Sequence, residues 1–189
     1  MGRMTLAHVP PEVIRPIKLV EYERLAESGA FDDEKVELLY GRIIQMVPQG
    51  EPHSIGIMQL MELLVPRLIG RARVRIQMPF AAPHESLPEP DVAVVPPSTT
   101  LARPREAYLI VEVAVSSLAI DRAKAQLYAQ AGVQQYWLVD VRGDVVEVHR
   151  EPSESGYATV TRHPRGDELA VPGFPDVVVS VAHVLPPKE

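Results

Sequence analysis

The residues from Pro88 to Asp140 decide the fold, and they read PEPDVAVV (88–95), AYLIVEVAVSS (107–117), AIDRAKAQLYAQAGV (119–133) and QQYWLVD (134–140). The first, second and fourth segments are short apolar runs that predict buried strands, and the third has the spacing of a helix. Asp91 stands at the start of the first run and Glu112 inside the second. Because a carboxylate in an apolar strand is costly to bury unless a positive group meets it, these two acids indicate a site rather than plain core.

Shorter patterns surround this stretch and complete the predicted fold. Helical spacing covers residues 19–26 and 52–68, and strand spacing covers residues 71–76. Two hairpins are predicted, one over residues 36–46 and one from residue 136 through 149, followed by a strand over 157–162 and a closing strand and short helix in the tail. The result is an α/β (α+β) fold in which a central mixed sheet is flanked by helices and carries extra hairpins. Residues 1–16 are predicted to be an N-terminal arm and residues 17–189 a single domain.

Composition excludes several classes of protein. The chain has 189 residues, no cysteine and a formal net charge of −6, so disulfides and thiolate metal sites are excluded. No apolar run approaches the roughly 20 residues that span a membrane, and the N-terminus lacks the features of a signal peptide, which predicts a cytoplasmic protein with no membrane contact. A protein that coats nucleic acid is usually basic, so any contact with nucleic acid must be local.

The two acids are placed to bind a metal ion. Pro90 predicts that Asp91 lies at a strand entrance, because proline begins strands rather than interrupting central ones. If the strands pair as neighbours, Asp91 and Glu112 reach the same end of the sheet. Mg2+ takes one or two carboxylates, waters and sometimes a carbonyl, which Val113 could supply. Lys124 on the following helix could orient a nucleophile or stabilise negative charge. The alternative is that Asp91 caps a turn, Glu112 pairs with an arginine and Lys124 lies on the surface.

Arginines provide the best signal for nucleic-acid binding. Arg71, Arg73 and Arg75 alternate with apolar residues, which predicts three guanidinium groups on one strand face, suited to phosphate contacts. Arg122, near the central stretch, could extend this patch. The alternative is an exposed edge strand protected by charge. Three aromatic residues in apolar runs are predicted to be core or an oligomer contact instead of a base-stacking platform: Tyr128, Tyr136 and Trp137.

At this point the sequence resembles a known family. PDVAVV (90–95), LIVEVAVSS (109–117) and DRAKAQLYAQAGVQQYWLVD (121–140), with VELLYGRIIQM (36–46) upstream, resemble the bacterial putative restriction endonuclease domain family, abundant in cyanobacteria, within the PD-(D/E)XK nuclease superfamily. The resemblance extends over most of the chain. It implies a mixed sheet flanked by helices, with metal ligands at the centre of the sheet.

The resemblance also implies roles for individual residues. Asp91 and Glu112 would bind Mg2+ or Mn2+, Glu37 would be an accessory acid and Lys124 the catalytic lysine. The superfamily lysine normally stands two residues after the second acid, where this chain has Ala114, so Lys124 must reach back from the next helix. Without the resemblance, Glu37 would be interpreted as a solvated residue. His53 fits either local helix packing or a contact with phosphate as an accessory residue.

These features favour a metal-dependent endonuclease that hydrolyses DNA. A second hypothesis keeps the fold as a catalytically silent module that binds DNA or protein. A third uses the two acids as a glycosidase pair, and the scarcity of aromatic residues, 5% of the chain, argues against a sugar-binding cleft. A homodimer is expected because two-fold symmetry suits the cutting of both strands of a duplex.

Overall fold

A computed structural model of the protein describes residues 13–46, 48–98 and 102–187, so most of the predicted N-terminal arm lies outside the described residues. The helices are α1 (Leu19–Glu27), α2 (Glu51–Leu68), α3 (Leu118–Gln130) and α4 (Val181–Val184). The strands are β1 (Val36–Leu39), β2 (Arg42–Gln45), β3 (Arg73–Ile76), β4 (Val92–Val95), β5 (Leu109–Ala114), β6 (Gln135–Asp140), β7 (Val145–Ser153), β8 (Gly156–Pro164), β9 (Glu168–Val171) and β10 (Phe174–Ser180).

A six-stranded mixed sheet forms the centre of the molecule, in the order β3-β4-β5-β6-β7-β8. Strands β5 and β6 are parallel, since α3 connects them as a crossover, and the other neighbours are antiparallel. β1 pairs with β2 and β9 with β10 in separate two-stranded sheets. The predicted fold class, a mixed sheet flanked by helices with extra hairpins, is confirmed.

The core lies on both faces of this sheet. One face packs against α2, α4 and the β9–β10 hairpin, through residues such as Leu64, Val113 and Val181. The other face packs against α3, through residues such as Ile110 and Tyr128. Alternating residues of β5 belong to opposite faces, which explains why its sequence is apolar almost throughout. Trp137, Tyr128 and Tyr136 are fully buried, as predicted for core residues.

A smaller apolar cluster attaches the β1–β2 hairpin and α1 to the main body. The N–H of Leu87, in the loop before β4, donates to the carbonyl of Leu38 at 2.7 Å. The hydroxyl of Tyr22 in α1 donates a hydrogen bond of 3.1 Å to the carbonyl of Val36. The hairpin is therefore fixed beside the start of β4, which brings Glu37 of β1 towards the central acids.

Three details differ from the sequence prediction. Strand β3 begins at Arg73, because the N–H groups of Arg71 and Ala72 both donate to the carbonyl of Leu68 and close the end of α2. Arg71 therefore lies in a turn, and the prediction of three arginines on one strand was wrong. Strands β7 and β8 are longer than predicted, since their pairing continues to Ser153 opposite Gly156. Strand β9 had not been predicted. Within the described ranges, no helix is long and apolar enough to cross a membrane.

Candidate active site

The site begins where β4 and β5 pair. Val92 lies opposite Val111, so Asp91, one residue before β4, comes beside Glu112. The backbone N–H of Asp91 donates to Glu112 Oε2 at 3.2 Å, and the N–H of Val113 donates to Asp91 Oδ2 at 2.8 Å. Both carboxylates are buried, with 5% and 3% of the residue exposed. The two acids thus share one end of the strand pair, and neither Asp91 as a simple turn cap nor Glu112 as an arginine partner describes them.

Lys124 reaches this point from α3. Its Nζ lies 2.9 Å from Glu37 Oε1 and 3.1 Å from Glu112 Oε1. The helix starts four residues after the end of β5, and Lys124 in its second turn reaches back to Glu112 of that strand. Lys124 is only 5% exposed, which rules out an ordinary surface residue.

Glu37 belongs to the same cluster. It is 2% exposed, and its Oε2 accepts a hydrogen bond from the backbone N–H of Glu89 at 3.3 Å. The interpretation of Glu37 as a solvated residue is therefore wrong. Its position follows from the β1–β2 hairpin, whose attachment to the loop before β4 turns the side chain inward.

Two further residues belong to the cluster although the sequence pattern did not assign them to the site. Asp121 Oδ1 lies 3.6 Å from Lys124 Nζ, and its Oδ2 accepts the hydroxyl of Ser117 at 2.5 Å. The hydroxyl of Tyr128 donates a hydrogen bond of 2.8 Å to Glu112 Oε1. Helical spacing could have indicated both residues, because Asp121 lies three residues before Lys124 and Tyr128 four residues after it, on the same face of the helix.

Burial and charge shape the ionisation of this cluster. Burial raises the pKa of Glu112 well above its usual range, against the opposing effect of Lys124. Burial likewise raises the pKa of Asp121. For Lys124, burial works to lower the pKa, but the charges of Glu112, Glu37 and Asp121 outweigh it and raise the pKa above the ordinary lysine value. Lys124 is thus a permanent ammonium at neutral pH.

His53 lies in the first turn of α2 at the edge of the cluster. Its Nε2 is 3.0 Å from Asp91 Oδ2, and only 9% of the residue is exposed. Its Nδ1 is buried and has no hydrogen-bond partner in the part of the chain that the structure describes. His53 therefore contacts the acid instead of serving only in local helix packing, and the contact holds one oxygen of Asp91.

The predicted arginine patch is not assembled. Arg71 makes two hydrogen bonds of 2.7 Å to Asp176, and Arg122 makes two of 2.6 and 3.1 Å to Glu147. Arg73 donates to the carbonyl of Ser98, and Arg75 is buried with its guanidinium 3.3 Å from the carbonyl of Pro79. β3 carries two of these arginines at one edge of the sheet, whereas Arg122 pairs with β7 near the other edge. Arg122 therefore does not extend a patch on β3, since the width of the sheet separates them.

An open cleft of about 240 Å³ leads to the buried cluster. Its floor contains Glu37, Asp91, Glu112, Asp121 and Lys124. The walls come from β2 and the loop before α2, from the β5–α3 connection and from the turn after β6, and they include His53, Ile44, Gln49, Ser116, Ile120 and Arg142. None of the four arginines predicted to bind nucleic acid lines it.

The donor set fits a hard divalent cation. Four carboxyl groups of the cleft face one ammonium, so the buried site carries an excess of negative charge that a cation would offset. Asp91 and Glu112 offer the one or two carboxylates that Mg2+ requires alongside water and substrate oxygens. In the described ranges no group of three or more His, Asp or Glu side chains is already arranged to hold a metal, because the remaining acids are turned towards Lys124.

Comparisons with known proteins agree with this architecture. No curated protein matches the chain. Among solved structures, the crystal structure of a putative nuclease belonging to DUF820 from Anabaena variabilis ATCC 29413 superposes with a TM-score of 0.67 at 20% identity, covering 89% of this chain and 97% of that one. At this identity the likeness concerns the fold. A family model, Uma2, described as a putative restriction endonuclease, matches residues 19–182. Since that match runs from the start of α1 through β10 and covers well over half of the chain, the chain belongs to the Uma2 family.

Proposed function

We propose that this protein is a metal-dependent endonuclease that hydrolyses phosphodiester bonds of DNA in the cleft above Asp91 and Glu112. The single observation that carries the proposal is the meeting of these two acids with the Lys124 ammonium, 3.1 Å from Glu112, in a cleft open to solvent. A nuclease-like function is supported by membership of a family described as putative restriction endonucleases. The metal and the choice of DNA are the finer parts of the proposal.

Asp91 and Glu112 are the proposed ligands of Mg2+ or Mn2+, with the carbonyl of Val113 as a third oxygen donor. When bound, such a cation polarises the phosphoryl oxygens and makes water a stronger nucleophile. The chain positions its ligands in advance. The N–H of Val113 and the ring of His53 both hold Asp91 Oδ2, and Lys124 and Tyr128 both hold Glu112 Oε1. Fixed ligands lower the reorganisation that the reaction requires.

Hydrolysis by this site uses water as the attacking group. Its oxygen forms a bond to phosphorus and its proton passes to solvent, the bond to the leaving sugar oxygen breaks, and a second proton reaches the leaving alkoxide from solvent. Lys124 is protonated at neutral pH, because the neighbouring carboxylates raise its pKa, so it does not act as the base. We assign it the stabilisation of negative charge that develops on the phosphoryl oxygens. Glu37 is a positioning residue that holds the ammonium in place.

A plasmid-cleavage assay tests the proposal. Wild-type protein with Mg2+ or Mn2+ should convert supercoiled DNA to nicked or linear forms, and chelation of the metal should stop the reaction. Asp91→Asn and Glu112→Gln should each reduce the rate at least a hundredfold, whereas the same change at the exposed Glu34 should leave it unaltered. Equal cleavage by wild type and Asp91→Asn would refute the assignment of the site.

The alternative, a catalytically silent module that binds DNA or protein, has one observation in its favour. Lys124 already pairs with carboxylates of the cluster, and in the described part of the chain no three acids or histidines are ready to hold a metal. Calorimetric titration separates the two functions. Heat of Mn2+ binding that disappears in Asp91→Asn supports the nuclease, and DNA affinity without any Mn2+ binding supports the silent module.

We also propose that the nuclease works as a homodimer, because two copies related by a two-fold axis can reach both strands of a duplex. Sedimentation velocity at micromolar protein concentration, with and without duplex DNA, tests this directly. A species of twice the monomer mass of 20.9 kDa is expected. A monomer under both conditions would contradict it.

A further inference from the structure

The floor of the cleft has an unfavourable charge for the proposed substrate. Four carboxyl groups face one ammonium there, and the whole chain has a net charge of −6. A nucleic acid approaching this cleft meets charge of its own sign, which slows association and weakens binding. A cation at the mouth of the cleft would reduce this repulsion. The arginines that sequence patterns suggested for this purpose are elsewhere and engaged with other groups.

Arg142 is the cation in the right place. It is the one arginine among the described residues that line the cleft, and Lys124 is the one lysine. Arg142 is exposed, and in the part of the chain that the structure describes its guanidinium has neither a hydrogen bond nor an ion pair within the protein. Lys124, by contrast, lies at the buried floor, where its ammonium pairs with Glu37 and Glu112 and lies 3.6 Å from Asp121. The guanidinium of Arg142 is therefore available to an anion that enters from outside.

The turn that carries Arg142 is held rigidly. It connects β6 to β7, and the N–H of Gly143 donates to Asp140 Oδ1 at 2.8 Å. Arg165 donates to Asp144 Oδ1 at 2.5 Å from the other side. The N–H of Val141 donates to the carbonyl of Ala114 at 3.0 Å, which ties the turn to the end of β5, two residues from Glu112. The backbone beneath Arg142 is thus fixed relative to the proposed metal ligands.

A side chain at Gly143 would disturb this arrangement. A Cβ atom built there would lie 2.3 Å from Asp140 Oδ2, closer than atoms of this kind approach. The absence of a side chain allows the Asp140 carboxylate to lie against the turn and hold it. A preformed binding group of this kind costs less ordering on association than one on a mobile loop.

We propose that Arg142 binds a backbone phosphate of the nucleic acid at the mouth of the cleft. This inference rests on the proposed function and adds to it a residue that recognises the substrate. Guanidinium groups match phosphate oxygens with two parallel hydrogen bonds, and such contacts fix the orientation of a nucleic acid without selecting its sequence. Arg142 thus assists binding, and the chemistry remains with the residues of the floor.

Fluorescence anisotropy with a labelled DNA duplex, in the presence of EDTA so that no cleavage occurs, tests the inference. Arg142→Gln should weaken binding about tenfold. The slope of log affinity against log salt should fall by about one, the signature of a single lost phosphate contact. Arg142→Lys should keep most of the salt slope, because it keeps the charge.

Arg67→Gln is the matched control. Arg67 is also exposed, but it lies in the last turn of α2, outside the residues that line the cleft, and its guanidinium donates to the carbonyl of Leu63 in its own helix. Its replacement should leave the affinity and the salt slope unchanged. Unchanged melting temperatures of the variants would exclude misfolding as a cause.

The outcomes separate the inference from the function on which it rests. If wild type binds DNA and Arg142→Gln binds equally well, the inference about Arg142 is wrong and the nuclease proposal survives. If wild type with Mn2+ neither cleaves nor binds duplex or single-stranded DNA even at low salt, the proposed function fails and the inference fails with it. An equal loss in Arg67→Gln would show that general charge, and not this position, matters.

Discussion

At the scale of single residues, the site is a balance between one ammonium and several buried carboxyl groups. Lys124 Nζ lies within 3.6 Å of oxygens from Glu37, Glu112 and Asp121. Burial of so many acids is costly, and the raised pKa values of Glu112 and Asp121 show which ionisations are strained. The same charges keep Lys124 protonated. Stability and the proposed function therefore depend on the same few groups.

Lys124→Met removes the charge while keeping a long side chain. We expect a loss of about 3–5 kcal/mol in the free energy of unfolding at neutral pH, because the acids are left without their cation. The raised pKa of Glu112 fixes the sign of the pH dependence: the folded state holds the proton more tightly than the unfolded state, so the variant regains stability as the pH falls and loses it as the pH rises. Urea denaturation between pH 5 and pH 8 measures this, with exposed Lys35→Met as control. A variant as stable as wild type across that range would contradict the balance described here.

Tyr128 tests the positioning of Glu112 separately from charge. Tyr128→Phe removes the hydroxyl that donates to Glu112 Oε1, and we expect Mn2+ affinity to fall about tenfold because a ligand has lost its support. Tyr136→Phe is the matched control, since this buried tyrosine donates to the backbone carbonyl of Asp121. Both variants should lose a modest amount of stability, and calorimetry should show the loss of metal affinity only in Tyr128→Phe. Equal Mn2+ affinity in the two variants would contradict the role of Tyr128.

At the scale of elements, α2 lies so close to β5 that only glycine fits at the contact. A Cβ at Gly56 would lie 2.9 Å from Cγ1 of Val113, which is buried and cannot move aside. In the interior of a helix, alanine is more favourable than glycine by about 1 kcal/mol. Overpacking a buried contact lowers the free energy of unfolding by about 1–3 kcal/mol. Gly56→Ala should therefore lower the melting temperature and disturb the contact between His53 and Asp91. Gly166→Ala, in a turn where the added atom meets nothing within 4 Å, is the control, and a Gly56→Ala variant as stable as wild type would refute the close contact.

Strand β7 carries a second titratable group, unrelated to the site. Burial lowers the pKa of His149 below its ordinary 6.5, with Glu147 opposing and Arg122 reinforcing the shift. The unfolded state thus binds the proton more tightly, so stability is present above pH 6.5 and is lost as the pH falls through this range. In His149→Phe, which keeps the contacts with Tyr136 and Tyr157, the decline in urea midpoint between pH 7 and pH 5 should be smaller. Identical slopes for wild type and variant would contradict the prediction.

At the scale of the whole molecule, most of the architecture could be predicted because its signals are local. Apolar runs predicted β4, β5 and β6, and helical spacing predicted α1, α2 and α3. The pairing of β4 with β5 was only a condition of the predicted site, and the structure shows it. The β9–β10 hairpin was not predictable in this way, since its short strands interrupt a tail with several prolines and pack only through tertiary contacts.

Site residues could be predicted where a charged residue interrupts an apolar pattern. They could not be predicted where they depend on ion pairs between residues far apart in the sequence. Acids inside apolar strands indicated Asp91 and Glu112, and the resemblance to the nuclease family implied that Lys124 replaces the lysine missing at Ala114. The partners of Arg71 and Arg122, Asp176 and Glu147, lie 105 and 25 residues away, so their ion pairs could not be read from spacing. For the same reason the proposed role of Arg142 could not be predicted, because it depends on the absence of an ion-pair partner for its guanidinium.

The central claim is that Asp91 and Glu112 together bind the metal ion that the proposed nuclease requires. The most direct measurement is anomalous diffraction from crystals soaked in Mn2+. We expect one strong peak between the two carboxylates and its loss in crystals of Asp91→Asn. A peak absent from wild type, or one located away from Asp91 and Glu112 while the protein still cleaves DNA, would contradict it.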